Sequence, residues 1–431
     1  MRKAVRSPPK ISYDEIIQYM KDDDVAIKAE EFNSEYYSWE EVYYHTDDEA
    51  TAIKIWTLMK FRRELTYNYL NICGMELNYN ITPKFIELLN YIDRDSAGHT
   101  DIRLPGDKDG KRFLISSMME EAIASSQLEG ASTTRKDAKD MLSLKKEPSD
   151  NDERMILNNY NAMMTVKEHT NEDLTPDLIK MFHKVISDKT IRYGSEWEGR
   201  FRESNDIIVG DPLEMDIVYH VPPKCEKIPE LIEQLCEFAN SNKPYMHPIL
   251  KAITLHYLIG YIHPFVDGNG RLARSLFYWY SLKKGYWLFE YTSISLILKN
   301  SRSKYGKAYQ YTESDEFDLT YFMKFNLECI HKSIENLYAY LERKTNEQDE
   351  ITEIINKDSS LGVIEADLLR KQVKDQKEFT IYDVKNRYGI SYQTARKYVY
   401  HLADLGYIVK VGKNGKQGIF SISSEMRMSI R

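Results

Sequence analysis

A mainly α-helical body followed by a small separate unit of helices and a β-ribbon is the fold class this 431-residue sequence predicts. Three observations carry it. Apolar residues recur at helical spacing along most of the chain, while β-prone runs are few and short. Residues 247–262 are apolar nearly all round, which marks a helix buried at the centre of the body. Near the C-terminus, two short helical patterns precede two β-prone runs placed around Lys413-Asn414-Gly415-Lys416.

Composition narrows the function classes. The length allows two to four domains of roughly 100–200 residues each, and 42% hydrophobic residues suffice for real cores. A net charge of −8 and a pI near 5.8 argue against bulk nucleic-acid binding while leaving room for a local basic patch. Cys73, Cys225, Cys236 and Cys329 are scattered without a C-x-x-C pair. That predicts a reducing compartment, the cytoplasm, and no structural metal. The opening MRKAVRSPPK has no apolar core after it, and no run of about 18 apolar residues exists, so neither a signal peptide nor a membrane span is expected.

In chain order, residues 1–10 read as a loose tail. Residues 14–50 hold thirteen Asp/Glu against two Lys, interleaved with Tyr36, Tyr37, Trp39, Tyr43 and Tyr44, which reads as a solvated acidic helical region packed by aromatics. Residues 47–77 read as one helix through Ala52, Ile55, Trp56, Met59 and Phe61. Thr82 as cap and Pro83 in the first turn start the next helix. Residues 93–110 are polar and turn-rich. Residues 111–130 keep a helical face of Phe113, Leu114, Met118, Ala122 and Ile123, closed by Gly130. Glu129 then falls in the last turn, where the helix dipole disfavours a carboxylate unless a cation meets it. Residues 133–144, 153–168 and 175–186 follow as helices. The periodicity breaks over 193–223, which includes Gly199-Arg200-Phe201-Arg202 and two β-prone runs around Gly210-Asp211-Pro212, the pattern of a hairpin. Residues 228–240 form an amphipathic helix, and His256 on the central helix reads as a core histidine.

Directly after that central helix comes a loop dense in chemistry: His263-Pro264-Phe265-Val266-Asp267-Gly268-Asn269-Gly270-Arg271-Leu272-Ala273-Arg274. Pro264 pushes His263 out of the right-handed helical region, so the helix should end there. Gly268 and Gly270 permit a backbone whose N–H groups turn inward as an anion nest. A helix starting near Arg271 aims its free N–H groups and positive dipole end at the same place. Arg271 and Arg274, three residues apart on the first turn, can clamp phosphates. Asp267 suits Mg²⁺, which takes one or two carboxylates beside phosphate oxygens. His263 supplies a base that titrates near neutrality. Together these residues predict a site for a metal-bound polyphosphate.

This stretch resembles, without a mismatch, the HPFx[D/E]GNGRxxR signature of the Fic family (filamentation induced by cAMP), and the resemblance spans about residues 110–340. It implies a Fic helical core and a protein adenylyltransferase: ATP as substrate, Mg²⁺ as cofactor, and AMP moved to a Tyr, Thr or Ser hydroxyl of a target protein or of the chain itself. It further implies His263 as catalytic base, Asp267 as metal ligand, and Gly268, Asn269, Gly270, Arg271 and Arg274 as nucleotide-binding residues. Gly270 keeps the AMP-transferring pattern, since kinase-like members carry Lys there. Residues 300–309 resemble the family's stretch near the adenine, departing at Gly306 and Tyr309, and make Tyr305 an adenine neighbour. Ser125-Ser126-Gln127-Leu128-Glu129-Gly130 resembles the family's [S/T]xxxE[G/N] inhibitory motif, with Ser125 and Glu129 regulatory and Glu129 paired to Arg274. The hairpin matches the family's flap, where Tyr219 and His220 would register a target segment by strand addition. Two other readings stay open: removal of AMP at the same site with Glu129 orienting water, and a non-enzymatic, nucleotide-sensing DNA-binding regulator.

A helix closing the body is expected over 319–344, then a helix and linker over 345–360. Residues 361–431 look like a winged helix-turn-helix: Thr380 caps a helix over 381–387, and 391–405 is a second helix with Ala395, Val399 and Leu402 inward. Residues 378–425 hold seven Lys/Arg against four Asp/Glu, and Gln393, Arg396, Lys397, Lys413 and Lys416 would meet DNA. Such units also serve as protein contacts. The expected domains are therefore 1–110, 111–344 with an inhibitory helix over 111–130, a linker over 345–360, and 361–431. A target protein is the expected partner; DNA and a second copy of the chain are candidates, and a membrane is not.

Overall fold

Polar residues at helix starts behave as their chemistry allows. Thr82, Thr134, Asp150, Thr175, Ser293, Thr380 and Ser391 each accept a hydrogen bond from a first-turn N–H of the helix that follows. A computed structural model of the chain describes residues 2–3, 5–97, 107–192, 194–210, 217–414 and 417–423. The fold is mainly α, with three small sheets. Two compact units, Met1–Leu337 and Tyr338–Arg431, divide the chain.

The first unit opens with strand β1 (Arg2–Lys3), then α1 (Ile16–Met20), α2 (Asp23–Ser34), α3 (Trp39–Tyr44) and α4 (Glu49–Glu64). The acidic region is helical, and its apolar residues Val25, Ala29, Phe32, Trp39 and Val42 share one cluster with Ile55 and Trp56. Two expectations are corrected here. Residues 1–10 are not a loose tail: β1 joins a sheet, Val5 is buried, and the Arg6 guanidinium lies 3.8 Å from the Tyr43 ring centre. The helix expected over 47–77 stops at Glu64, and strands β2 (Asn68–Ile72) and β3 (Met75–Tyr79) follow as an antiparallel hairpin. Cys73 and Gly74 take φ of 52° and 68°, the two-residue turn that a tight hairpin needs. Leu70 and Ile72 face inward while Tyr69 and Asn71 face out, a two-residue period that helical spacing obscured.

The body continues with α5 (Pro83–Ser96), α6 (Asp107–Leu128), α7 (Arg135–Ser143), α8 (Asn151–Glu168) and α9 (Pro176–Ser187). Half of the turn-rich stretch expected over 93–110, residues 98–106, lies outside the described residues, and its described ends are helical. Strands β4 (Val209–Gly210) and β5 (Ile217–His220) pair antiparallel, with β1 parallel to β5 on the other side. The turn between β4 and β5 lies outside the described residues. Then come α10 (Ile228–Asn240), α11 (Pro248–Ile262), α12 (Asn269–Lys283), α13 (Ile294–Asn300), α14 (Arg302–Ser314) and α15 (Thr320–Lys357). Helix α11 is buried nearly all round and packs on α12, which in turn packs on α6, α8 and α9. The loop between α11 and α12 is therefore suspended between rigid helices. Glu121 fixes α6 from inside: its carboxylate accepts hydrogen bonds from Tyr278, Ser293 and Ser295.

Helix α15 runs on through most of the stretch expected as a linker. Pairs such as Lys344–Glu347 (2.8 Å) and Glu353–Lys357 (2.7 Å) support its polar turns, and Ile351 is buried. The second unit adds α16 (Val363–Asp375), β6 (Phe379–Thr380), α17 (Ile381–Tyr388), α18 (Tyr392–Asp404), β7 (Ile408–Asn414) and β8 (Gln417–Ile422), with sheet order β6-β8-β7. Leu368, Leu369, Val384, Ala395, Val399, Leu402 and Phe420 make its core. Gln393, Arg396 and Lys397 are exposed on α18 and Lys413 on β7, whereas Lys416 lies outside the described residues.

Candidate active site

Helix α11 ends at Ile262, and His263 takes a left-handed φ of 49°. The loop that follows is framed by Asn269. Its Oδ1 accepts the Phe265 N–H at 2.9 Å, and its Nδ2 donates to the Phe265 carbonyl at 2.8 Å. Each end of the Asn269 side chain thus makes one bond to the loop, which leaves the second Nδ2 proton and the main-chain N–H for a ligand. Gly268, at φ 81°, is the residue before α12, which starts at Asn269 rather than Arg271. Asp267 Oδ1 accepts the Gly268 N–H at 2.6 Å.

Two residues that the sequence did not mark hold this loop from outside. His183 on α9 accepts the Gly199 N–H on Nδ1 at 3.0 Å, so its proton sits on Nε2, which donates to the Asp267 carbonyl at 2.8 Å. Its ring stacks on Phe265 at 3.6 Å and 3°, and burial pushes its pKa down to about 4. Arg202 donates through its main-chain N–H to the Pro264 carbonyl at 2.9 Å and through Nε to the His263 carbonyl at 2.8 Å. Gly199-Arg200-Phe201-Arg202 was visible only as a polar break in periodicity. The loop carbonyls that Arg202 serves lie more than 60 residues away in sequence, and no local pattern reports such contacts.

The arginines of α12 are both buried. Arg271 Nη1 donates to the Ile186 carbonyl at 3.0 Å, and its Nε has no partner. Arg274 Nε donates to Ser125 Oγ at 2.8 Å, and Nη2 donates to the Ser125 carbonyl at 3.1 Å and to Glu129 Oε1 at 2.9 Å. Its Nη1 is buried without a partner. Ser125, Glu129 and Arg274 thus come together as expected. The Glu129 carboxylate also lies directly over Gly270, so close that a Cβ there would collide with it. It occupies the place that an anion at the start of α12 would take.

Electrostatics follow from that arrangement. Burial acts to raise the Glu129 pKa, but Arg274 and Arg271 outweigh it and hold the carboxyl below its ordinary range. Burial acts to lower the Arg274 pKa, and the Glu129 carboxylate outweighs it. Burial depresses that of Arg271. His263 is pushed down to about 4, chiefly by burial. It is therefore a neutral base at pH 7 rather than a group titrating near neutrality.

Tyr305 on α14 bonds through its hydroxyl to His256 Nε2 at 2.7 Å, and its ring lies against Tyr309 and Phe322. His256 is buried, as a core histidine should be, and burial lowers its pKa to about 3. The His220 side chain is held within the fold. Its Nδ1 meets the Glu313 carboxylate at 2.9 Å and its Nε2 the Tyr261 carbonyl at 2.7 Å, so it anchors the hairpin to α14 and to the end of α11. Tyr219 precedes it on β5, half-buried.

Residues 173–281 match the model of the Fic/DOC family. This chain contains a Fic domain. The protein adenylyltransferase Fic of Drosophila melanogaster is 30% identical over 207 residues, 46% of this chain and 39% of that protein. Its namesake in Drosophila ananassae is 32% identical over 185 residues, 41% and 35%. The chain spans under two fifths of the length of these relatives. Among solved structures, Fic-1 (residues 134–508) of C. elegans superposes with a TM-score of 0.51 at 15% identity, covering 78% of this chain and 90% of that one. At such identity the likeness is one of fold.

Proposed function

We propose that this chain is a protein adenylyltransferase that moves AMP from MgATP to a Tyr, Thr or Ser hydroxyl of a target protein or of itself, and that Glu129 holds it back. One observation carries the reading. The start of α12 and the partnerless buried Arg274 Nη1 meet at an anion place that Glu129 fills, and the charge of Arg271, whose Nε is also buried without a partner, acts on the same carboxylate. A helix N-terminus with two buried arginines is built for more negative charge than one carboxylate brings.

In this reading the main-chain N–H groups of Asn269 and Gly270 hold the α-phosphate oxygens over the turn that Gly268 makes, Arg271 meets the β-phosphate, and Arg274, once released by Glu129, meets the γ-phosphate. His263, neutral at pH 7, takes the proton of the acceptor hydroxyl. That oxygen bonds to the α-phosphorus as the bond to pyrophosphate breaks, and the chain's task is positioning and charge neutralisation. Asp267 would hold Mg²⁺, which neutralises phosphate charge; its Oδ2 is the atom left for that, since Oδ1 serves the loop. Tyr305 borders the adenine side, with its hydroxyl committed to His256. Among the described residues no group of three or more His, Cys, Asp or Glu could form a metal cage, which suits an ion held by one carboxylate plus substrate phosphates.

We take residues 111–344 as the transfer body and 361–431 as a winged helix-turn-helix that contacts duplex DNA through Gln393, Arg396 and Lys397. Four free cysteines support a reducing, cytoplasmic setting, and no helix among the described residues is long and apolar enough to cross a membrane. Incubation with ATP labelled in either the α- or the γ-phosphate tests the reaction. Label retained on protein from the α-position alone supports AMP transfer; retention from the γ-position overturns it.

A further inference from the structure

The edge of β5 is already occupied. This strand is the middle one of its sheet, with β4 on one side and β1 on the other. Arg2 lies opposite Ile217 and Lys3 opposite Val218, in parallel register. The pairing is backed by packing beyond it: Val5 is 6% exposed, and the Arg6 guanidinium lies 3.8 Å from the Tyr43 ring centre. β5 also leads straight to the reacting loop. Its last residue, His220, is bonded to the carbonyl of Tyr261, two residues before His263.

An open strand edge offers unpaired N–H and C=O groups and takes up any extended segment that reaches it. With β1 in place, the Ile217–Val218 part of this edge is taken. Residues 1–6, Met-Arg-Lys-Ala-Val-Arg, contain no Ser, Thr or Tyr. The resident segment therefore has the backbone of an acceptor peptide and lacks the hydroxyl.

We propose that β1, backed by Val5 and Arg6, is a built-in competitor for the extended acceptor segment that would add along the same edge of β5. The use of the edge rests on the transfer reading above; its occupancy rests on the strand pairing alone. A tethered competitor acts at an effective concentration of about millimolar, so a target has to outcompete it. This restraint acts on the acceptor and is separate from Glu129, which acts on the nucleotide.

The test is a fluorescence-anisotropy titration with a labelled peptide of residues 1–10, run without ATP so that turnover plays no part. The full chain is compared with a variant lacking residues 1–6 and with the double variant Arg2→Pro, Lys3→Pro, which loses ladder N–H groups but keeps Val5 and Arg6. The expected result is saturable binding to the variants and at least tenfold weaker binding to the full chain. Equal binding to all three, or no binding to a folded variant, overturns the proposal. If the shortened chain does not fold, the double-proline variant carries the same comparison. Failure here leaves the AMP-transfer reading standing, because that reading is tested by label retention.

Discussion

Glu129 Oε1 lies 2.9 Å from Arg274 Nη2 while the same carboxylate covers Gly270 at the start of α12. One side chain thereby ties up an arginine and fills the anion place beside it. Yet Glu129 keeps 34% of its side-chain surface accessible, whereas Arg274 keeps 3%. The acid is the part of the pair that can leave.

Replacing Glu129 by Gly should therefore raise AMP transfer about 100-fold, the scale on which misplacement by about 1 Å slows a reaction. Arg274→Ala should not reproduce the gain, because it removes the phosphate clamp together with its restraint. The combined variant should stay slow. Initial rates of AMP incorporation for the three variants check this.

Gly270→Ala probes the same place from the other side. The backbone at 270 is helical, so Ala is tolerated there, but its methyl group would intrude where Glu129 now sits. Nucleotide affinity should fall at least tenfold, also in a Glu129→Gly background, with the melting temperature little changed. Calorimetric titration with ATP measures the first effect and a thermal melt the second.

His263→Ala should abolish transfer and leave nucleotide binding near normal, since the His263 ring makes no bond to the anion place; its Nδ1 lies 3.3 Å from the Gly260 carbonyl. With its pKa near 4 in the fold, the wild-type rate should be level from pH 6 to 8 on this limb. A limb centred near pH 6.5 would show that the histidine is not buried as described.

Stability should carry a related signature. Burial lowers His183 and His263 to about 4 and His256 to about 3, from an ordinary 6.5. Above pH 6.5 neither state binds the proton and these groups cost nothing. As pH falls from 6.5 towards 4 the unfolded chain binds protons that the folded chain refuses, so stability drops, by at most about 1.4 kcal/mol per pH unit for each histidine. Melts at pH 7.5, 6.0 and 5.0 should show a falling midpoint; a flat series contradicts it.

The C-terminal unit gives a further outcome. Double substitution Arg396→Ala, Lys397→Ala should weaken binding of the full chain to duplex DNA and reduce its salt slope by about two, one per lost phosphate contact. Wild-type protein that ignores DNA at low salt would point to a protein contact instead.

The sequence made some of this plain and concealed the rest for physical reasons. His263, Gly268, Arg271 and Arg274 share one short loop and helix turn, so backbone rules acting over a few residues place them. Glu129 was legible through the resemblance of residues 125–130 to the family's inhibitory motif, to which its place at the wrong end of a helix added only a hint of a cation. The 68–79 hairpin was not legible: its two strands are five residues each, and their apolar positions coincide with a continuing helix. His183 and Arg202 were hidden because a buried polar side chain that serves a distant carbonyl leaves no periodic trace. The same holds for residues 2–6, whose basic, proline-flanked composition reads as a tail until β5 supplies a partner.

The most direct test of the central claim is retention of label on protein from ATP labelled in the α-phosphate, followed over time for wild type and Glu129→Gly in parallel. A slow wild type and a variant faster by about 100-fold, with no label retained from the γ-phosphate, is the result predicted. Equal rates for the two proteins would reduce Glu129 to an ordinary helix-end residue, and no α-label in either would remove AMP transfer itself.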